Sequence, residues 1–374
     1  MQVRHHRLAP AAPGTTRELV SLHHGPTDRG RKAYLQASLH ADEVPPMLVA
    51  QHLRLALRQL EAEGRLTGEV VLVPAANPIG LAQHPLSQPQ GRFDLGSGEN
   101  FNRHYADLSG TVAQALLGRL GNDAAANLQQ ARAALAEACA GLPATDELAS
   151  LRKTLLGLAA DADLVLDLHC DHEAVLHLYT TPEGWPTFAP LAQRLGAPLA
   201  LLASDSGDAP FDEACSTFWP RLAERLGMDA DQLPGRCLAA TVELRGEVDV
   251  CHRLAAQDAQ ALVDFLAMQG FVDGPAPTES KHAPPLALPL AGSMPVRAPH
   301  AGVLVFLADC GERLAAGQPL AELIDPASGA CTTLSSPVDG LLYARASRRF
   351  VRAGATLAKV AGREPLREGR LMSA

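Results

Sequence analysis

The chain has 374 residues, enough for two domains, and 47% of them are apolar, the proportion of a globular protein that buries a full core. A formal net charge of −9 without a long basic run argues against a nucleic-acid partner, so any anion-binding role falls to individual arginines. Seven scattered cysteines form no Cys-x-x-Cys pair, the amino terminus carries no secretory pattern, and no apolar run reaches the roughly 18 residues of a membrane span; a cytoplasmic protein with no membrane partner is expected.

Residues 1–30 offer one strand, near Glu18 to Leu22. The apolar run Ala33–Leu39 reads as a buried strand that ends on His40, and Glu43 follows in the next loop. Pro45 and Pro46 then open an amphipathic helix, Met47–Leu60. After a turn bracketed by Gly64 and Gly68, Glu69-Val-Val-Leu-Val73 completes a βαβ unit. Such a unit implies a parallel sheet with ligand sites at the carboxyl ends of its strands. Gln88 to Arg103 is a polar, glycine-rich loop at that edge and holds Arg92, Asn102 and Arg103. Long loops there tend to carry function, although solvation alone accounts for a surface arginine. Thr111–Ala160, rich in Ala, Leu, Gln, Glu and Arg, predicts two or three helices broken at Gly141–Pro143.

Asp163-Leu-Val-Leu-Asp167-Leu-His169 is a second buried strand that ends in a histidine. His40, Glu43 and His169 together have the composition of a hydrolytic zinc shell that keeps one position open for water. His172 and His177 compete for the same role, and Asp167 or Asp42 could orient an imidazole from behind. Leu199–Ala203 predicts a short strand and Cys215–Gly227 a helix. Ala239-Ala-Thr-Val-Glu243 brings a third strand end to a carboxylate, where a zinc hydrolase needs a group to move the water's proton. Taken alone, Glu243 would read as a solvent-facing edge residue. A helix over Asp258–Phe271 closes this part of the chain.

Residues 273–292 are dense in Pro and small polar residues and read as a linker. Beyond them lies an internal repeat. Pro299, Gly302, Gly317 and Leu320 are echoed by Pro337, Gly340, Gly354 and Leu357, which predicts a small pseudo-symmetric β-sandwich.

His40-x-x-Glu43, Asn102-Arg103, Asp-Leu-His169 and Thr-Val-Glu243 resemble, in that order, the motifs of the succinylglutamate desuccinylase/aspartoacylase family of zinc deacylases. The resemblance covers about residues 15–270, and that family shares its core with the zinc carboxypeptidases. It implies an α/β fold with a mixed, mostly parallel sheet flanked by helices over residues 1–272. For 293–374 a biotinyl/lipoyl-type barrel sandwich is implied. Carried over, it makes His40, Glu43 and His169 the ligands of one Zn2+ and Glu243 the general acid/base. Arg92 becomes the group that polarises the scissile carbonyl, although its spacing to Asn102 is looser than the other matches. Asn102 and Arg103 would hold the carboxylate of a small N-acyl amino acid.

Two departures matter. Carboxypeptidases of this core place a late tyrosine over the substrate, and here no tyrosine lies between Tyr179 and Tyr343, which favours a deacylase over the alternative, a metallocarboxypeptidase acting on short peptides. The hairpin Asp325–Gly329 lacks the attachment lysine of carrier domains. That module is therefore expected to carry no biotin or lipoate and to pack near the active-site mouth or a neighbouring subunit, an arrangement compatible with a homo-oligomer. Arg245 has no counterpart in the pattern.

Overall fold

Apolar runs without alternation, such as Leu164–Leu168, must be covered on both faces, so the sheet they form needs helices on either side. A computed structural model describes residues 1–28, 30–229, 232–233 and 237–372. In chain order, β1 (Gln2–Arg7), β2 (Glu18–His24) and β3 (Lys32–Ala37) precede α1 (Pro45–Ala62) and β4 (Glu69–Val73). A long loop leads to α2 (Ser109–Leu116), α3 (Ala124–Gly141) and α4 (Glu147–Ala159). Then come β5 (Leu164–Asp171), β6 (Glu173–Ala174), β7 (His177–Thr180), α5 (Trp185–Leu195) and β8 (Leu199–Leu202). The helices α6 (Phe211–Ser216) and α7 (Phe218–Leu226), β9 (Leu238–Gly246) and α8 (His252–Met268) follow, then β10 (Leu286–Pro289).

The main sheet has nine strands in the order β1-β2-β4-β3-β5-β9-β7-β8-β10. Five of its eight pairings are parallel, the mixed, mostly parallel sheet expected. One face is covered by α1, α5 and α8, through Leu53, Leu57, Phe188, Leu262 and Phe265. The other is covered by α2, α3, α4, α6 and α7, through Val112, Leu135, Leu151, Phe211 and Trp219. No helix among the described residues is long and apolar enough to cross a membrane.

Several elements differ from expectation. Strand β1, too polar to read as buried, pairs antiparallel with β2 at the sheet's edge, and five of its six residues are exposed. The helix expected over Cys215–Gly227 is two helices meeting at Thr217. Helix α8 begins at His252, six residues before the expected Asp258. Residues 286–289, which composition reads as linker, form β10 and extend the sheet by pairing parallel with β8.

The remaining strands are β11 (Ser293–Arg297), β12 (Gly302–Phe306), β13 (Arg313–Leu314), β14 (Pro319–Ile324), β15 (Cys331–Ser335), β16 (Gly340–Arg345), β17 (Phe350–Val351) and β18 (Thr356–Ala361). They form two facing sheets, β11-β18-β16-β13 and β15-β14-β12-β17, around a core that includes Leu304, Leu323, Leu342 and Val360. Each half of the repeat lends its short strand to the other half's sheet: β13 pairs β16, and β17 pairs β12. The repeated glycine has one physical cause in both copies. A Cβ on Gly302 would lie 2.5 Å from the Ile324 carbonyl oxygen, and one on Gly340 would lie 2.4 Å from that of Ala361.

This module docks on the β7–β8–β10 end of the main sheet. Tyr179, Leu201 and Leu288 pack there against Leu341 and Tyr343, and β6 pairs with β16. Gly340→Ala is expected to destabilise the protein by about 1–3 kcal/mol through overpacking. Gly141→Ala, whose Cβ would meet nothing within 4 Å, should cost nothing. Denaturant midpoints of the two variants check this, and equal midpoints would contradict it.

Candidate active site

The carboxyl ends of β3, β5 and β9 converge because the three strands are parallel neighbours. His169 and Glu243 are register partners across β5 and β9. Beyond β3 the chain turns through Ser38, whose φ of 58° lies in the left-handed region. Its amide is held by the Leu168 carbonyl at 3.0 Å and its hydroxyl by the Glu43 carbonyl at 2.6 Å. This turn swings His40 and Glu43 over the end of β5. Strained backbone at such a position is typical of functional sites.

Glu43 is buried, and its two carboxylate oxygens reach different imidazoles: Oε1 lies 2.9 Å from His40 Nδ1 and Oε2 lies 2.8 Å from His169 Nδ1. Burial by itself would raise the Glu43 carboxyl, but His169 and His40 outweigh it and hold the acid well below the usual carboxylate range. His169 is held well above the ordinary imidazole value, against its burial, by Asp167 and Glu43. His40 is pushed down by burial and by Arg92.

Behind the imidazoles, Asn100 Oδ1 meets His40 Nε2 at 2.9 Å and Asp167 Oδ2 meets His169 Nε2 at 3.0 Å. Acceptors at both Nε2 atoms leave Nδ1 of each ring as the nitrogen turned toward Glu43, the atom that would offer its lone pair to an ion. Ligand atoms of His40, Glu43 and His169 all lie within 4.8 Å of one another, a grouping that could hold a metal ion. Two imidazole nitrogens and a carboxylate, each backed by a second group, fit a catalytic zinc shell.

Arg92 leans into this cluster, with Nη1 3.0 Å from His40 Nδ1 and Nη2 3.7 Å from Glu43 Oε1. Its loop is pinned by the Ala41 amide on the Gly91 carbonyl at 3.0 Å, so close that a Cβ on Gly91 would lie 2.0 Å from the Asp42 nitrogen. Arg152 of α4 holds the far side, through Glu99 at 2.7 Å and the Asn100 carbonyl at 3.0 Å. Asn102 Oδ1 accepts from the Phe211 amide at 2.8 Å, which fixes the amide group and turns its Nδ2 donor toward the His169 ring, 3.5 Å from Nε2. Glu243 is half-buried, and its shielded Oε2 finds no hydrogen-bond partner. Burial and the neighbouring Glu43 push it up to about 8. His40, Arg92, Asn102, Arg103, His169 and Glu243 line one cavity, and Glu43 joins its imidazoles from beneath.

The competing histidines sit elsewhere. His172 is exposed and meets Glu247 at 3.3 Å; His177 is buried, with Nδ1 on the Val175 carbonyl at 2.8 Å. Arg245, at φ 66°, grips both oxygens of Asp258 at 2.8 and 2.9 Å and ties the end of β9 to α8.

Asn100, Asp171 and Lys359 escaped the sequence reading. Asn100 stands two residues before Asn102, and its polar loop setting gave no separate signal. Lys359 comes from β18 of the carboxyl-terminal module, lines the cavity, and meets Asp171 Oδ2 of β5 at 2.6 Å. Its one trace in the sequence is a charge inside the apolar strand Leu357-Ala-Lys359-Val-Ala361. Burial alone would raise the Asp171 carboxyl, but Lys359 outweighs it and holds the acid well below the usual carboxylate range. Leu290 and Met372 line the cavity as well, so the module forms part of the mouth.

Fold and site together define an α/β protein with a His–Glu–His cluster, able to hold a metal ion, at the carboxyl edge of its sheet. Residues 29–268 match the succinylglutamate desuccinylase/aspartoacylase catalytic domain. The chain belongs to the succinylglutamate desuccinylase/aspartoacylase family, whose members are hydrolases of small acylated amino acids.

Among solved structures it is similar to a family protein of Shewanella amazonensis SB2B, at 28% identity and a TM-score of 0.85 over 96% of this chain and 98% of that one. A protein of Shewanella frigidimarina NCIMB 400, described as belonging to the same group, is 24% identical with a TM-score of 0.83 over 96% of each chain. A third, from Rhodobacter sphaeroides, is 16% identical with a TM-score of 0.66 over 97% of this chain and 95% of that one. The last two speak to fold alone. Comparison with curated proteins gives no match.

Lys359→Met takes the countercharge from Asp171 and leaves it the His172 amide alone, and is expected to destabilise the protein by about 1–3 kcal/mol. Adding Asp171→Asn should restore most of that loss. Unfolding midpoints of the single and double variants read the effect, and a double variant no more stable than the single would contradict it.

Proposed function

We propose that the protein is a zinc-dependent deacylase that hydrolyses the amide bond of a small N-acyl amino acid. The observation that carries this reading is the approach of two imidazole Nδ1 atoms and both Glu43 oxygens to one point, beside a half-buried carboxylate, Glu243, with a shielded, unpartnered oxygen. His40, Glu43 and His169 would hold the ion. Zn2+ held there would lower the pKa of a water to about 7 and polarise the amide carbonyl.

The chain's own residues supply the rest. Glu243 takes a proton from the attacking water and passes it to the departing nitrogen. Water oxygen bonds to the acyl carbon as the C–N bond breaks, and the products are a carboxylic acid and a free amine. A pKa raised toward neutrality suits a group that must both accept and return a proton. The Arg92 guanidinium steadies the charge that develops on the carbonyl oxygen. Asn102 Nδ2 and the fork of Arg103 orient the substrate's carboxylate.

Purified protein is expected to carry about one zinc per chain, and His40→Ala to lose it. Glu243→Gln should keep the metal while turnover of N-acetyl, N-formyl or N-succinyl amino acids falls by about 10²–10⁴-fold. Elemental analysis and an amine-release assay read both, with short peptides bearing free carboxyl termini as the comparison substrates. Full zinc in His40→Ala, or near-normal turnover in Glu243→Gln, would overturn the assignments.

A further inference from the structure

Beside the catalytic cavity, which encloses about 50 Å³, lies a groove of about 560 Å³ between the catalytic part and the carboxyl-terminal module. Arg92, Asp171, Lys359 and Met372 line both spaces, so the groove opens onto the site. Its walls also carry Arg297, Arg345, Arg367 and Arg370. These come from separate stretches of chain: Arg297 ends β11, Arg345 ends β16, and Arg367 and Arg370 follow β18. Among the described residues, Asp171 is the only acid on the wall of the groove.

Ion pairs account for part of this positive charge. Lys359 is held by Asp171 at 2.6 Å, Arg345 by Glu173 at 2.6 Å and Asp309 at 2.9 Å, and Arg370 by Asp208 at 2.9 Å. Arg297 and Arg367 meet main-chain carbonyls and have no acidic partner among the described residues. Arg297 Nη1 donates to the Gly354 carbonyl at 3.2 Å. Arg367 Nη1 donates to the Ser293 carbonyl at 2.9 Å, and its Nη2 to that of Arg370 at 3.1 Å. A carbonyl holds a guanidinium in place without cancelling its charge, and each fork has five N–H donors, most of them still to spare. Two uncompensated cations on one concave wall raise its potential and draw an anion from solution.

A carboxylate is planar, and one guanidinium fork satisfies its two oxygens. A phosphate group presents three strong acceptor oxygens and takes donors from several directions. Here the donors reach one groove from β11, β16, β18 and the segment after it, and the volume is that of a small-molecule site. We propose that the groove binds a small molecule with two phosphate groups, held by Arg297 and Arg367, and that this ligand regulates access to the site. Neither Asn102 nor Arg103 lines the groove, so the ligand is not the substrate's carboxylate in another guise. No bond to phosphorus is made or broken. The bound anion stands where the groove meets the catalytic cavity, beside Arg92 and Lys359, and excludes substrate. That exclusion rests on the deacylase reading, whereas the phosphate site does not.

Calorimetry on the zinc-loaded full-length protein, at fixed ionic strength, compares pyrophosphate with tricarballylate, a carboxylate of similar charge. Pyrophosphate is expected to bind about tenfold or more tightly than tricarballylate. The Arg297→Gln/Arg367→Gln double variant should lose about tenfold or more of the affinity for pyrophosphate while keeping its zinc. Pyrophosphate that binds no tighter than tricarballylate, or not at all, overturns the site. So does an affinity that survives in the folded double variant, as heat from extraction of zinc would. Should the double variant fail to fold, Arg297→Gln alone is measured, and an unchanged affinity there overturns the site equally. Turnover is scored apart: pyrophosphate should raise KM for an N-acyl amino acid without changing kcat, and should do so far less in the double variant. Binding without a rise in KM overturns the regulatory half. Binding to a protein that cleaves no N-acyl amino acid would remove the deacylase reading and leave the phosphate site standing.

Discussion

Glu43 carries the structure of this site. Its carboxylate is taken out of water and would be heavily destabilised there without compensation. The compensation comes from two imidazoles, one in the turn after β3 and one on β5, one per oxygen, and from the Cys170 amide at 3.1 Å. Satisfying that one group sets the turn at Ser38, the docking of the loop after β3 on the end of β5, and the facing of the two Nδ1 atoms. Asn100 and Asp167 behind the rings then determine which nitrogen looks inward. Removing any member would leave a buried charge or ring nitrogen without its partner, so the cluster behaves as a unit.

Around that unit the electrostatics are divided. Arg92 and Arg103 bring positive charge to one side of the cavity, and Lys359 adds more from the carboxyl-terminal module. Asp212 and Glu213 oppose them at the end near α6. A chain of net charge −9 thus gathers cations on one side of this cavity, with acids facing Arg103 from the other. Glu243 lies between, and its burial beside Glu43 sets it apart from a surface carboxylate.

The carboxyl-terminal module is more than an appendage. Its apolar seam with β7, β8 and β10 fixes its position, and the Lys359–Asp171 pair reaches from it to within two residues of His169. The structural likeness to the Shewanella amazonensis protein spans 96% of the chain, so the two-part architecture is shared and not a chance attachment. A site assembled from both parts couples the seating of the module to the shape of the cavity.

Much of this was legible in the chain. Uninterrupted apolar runs named the buried strands; the histidines and glutamate at their ends named the cluster; and the glycine spacing of the repeat named the sandwich. These signals are local, because burial and turn chemistry act on neighbours in sequence. What stayed hidden is non-local. Strand β1 is polar and owes its existence to pairing with β2, and β10 forms because an open edge at β8 accepts it, whatever its proline-rich surroundings suggest. His172 could not be separated from His169 by residue type; only its exposed place beyond the end of β5 did that. Lys359, nearly 190 positions beyond the strand it meets, and Asp212 with Glu213, on a short helix, join the site through packing alone. Residue types set what chemistry was available, and the tertiary structure decided which of those residues share one volume, because proximity in a folded chain is settled by sheet register and helix packing and not by order along the backbone.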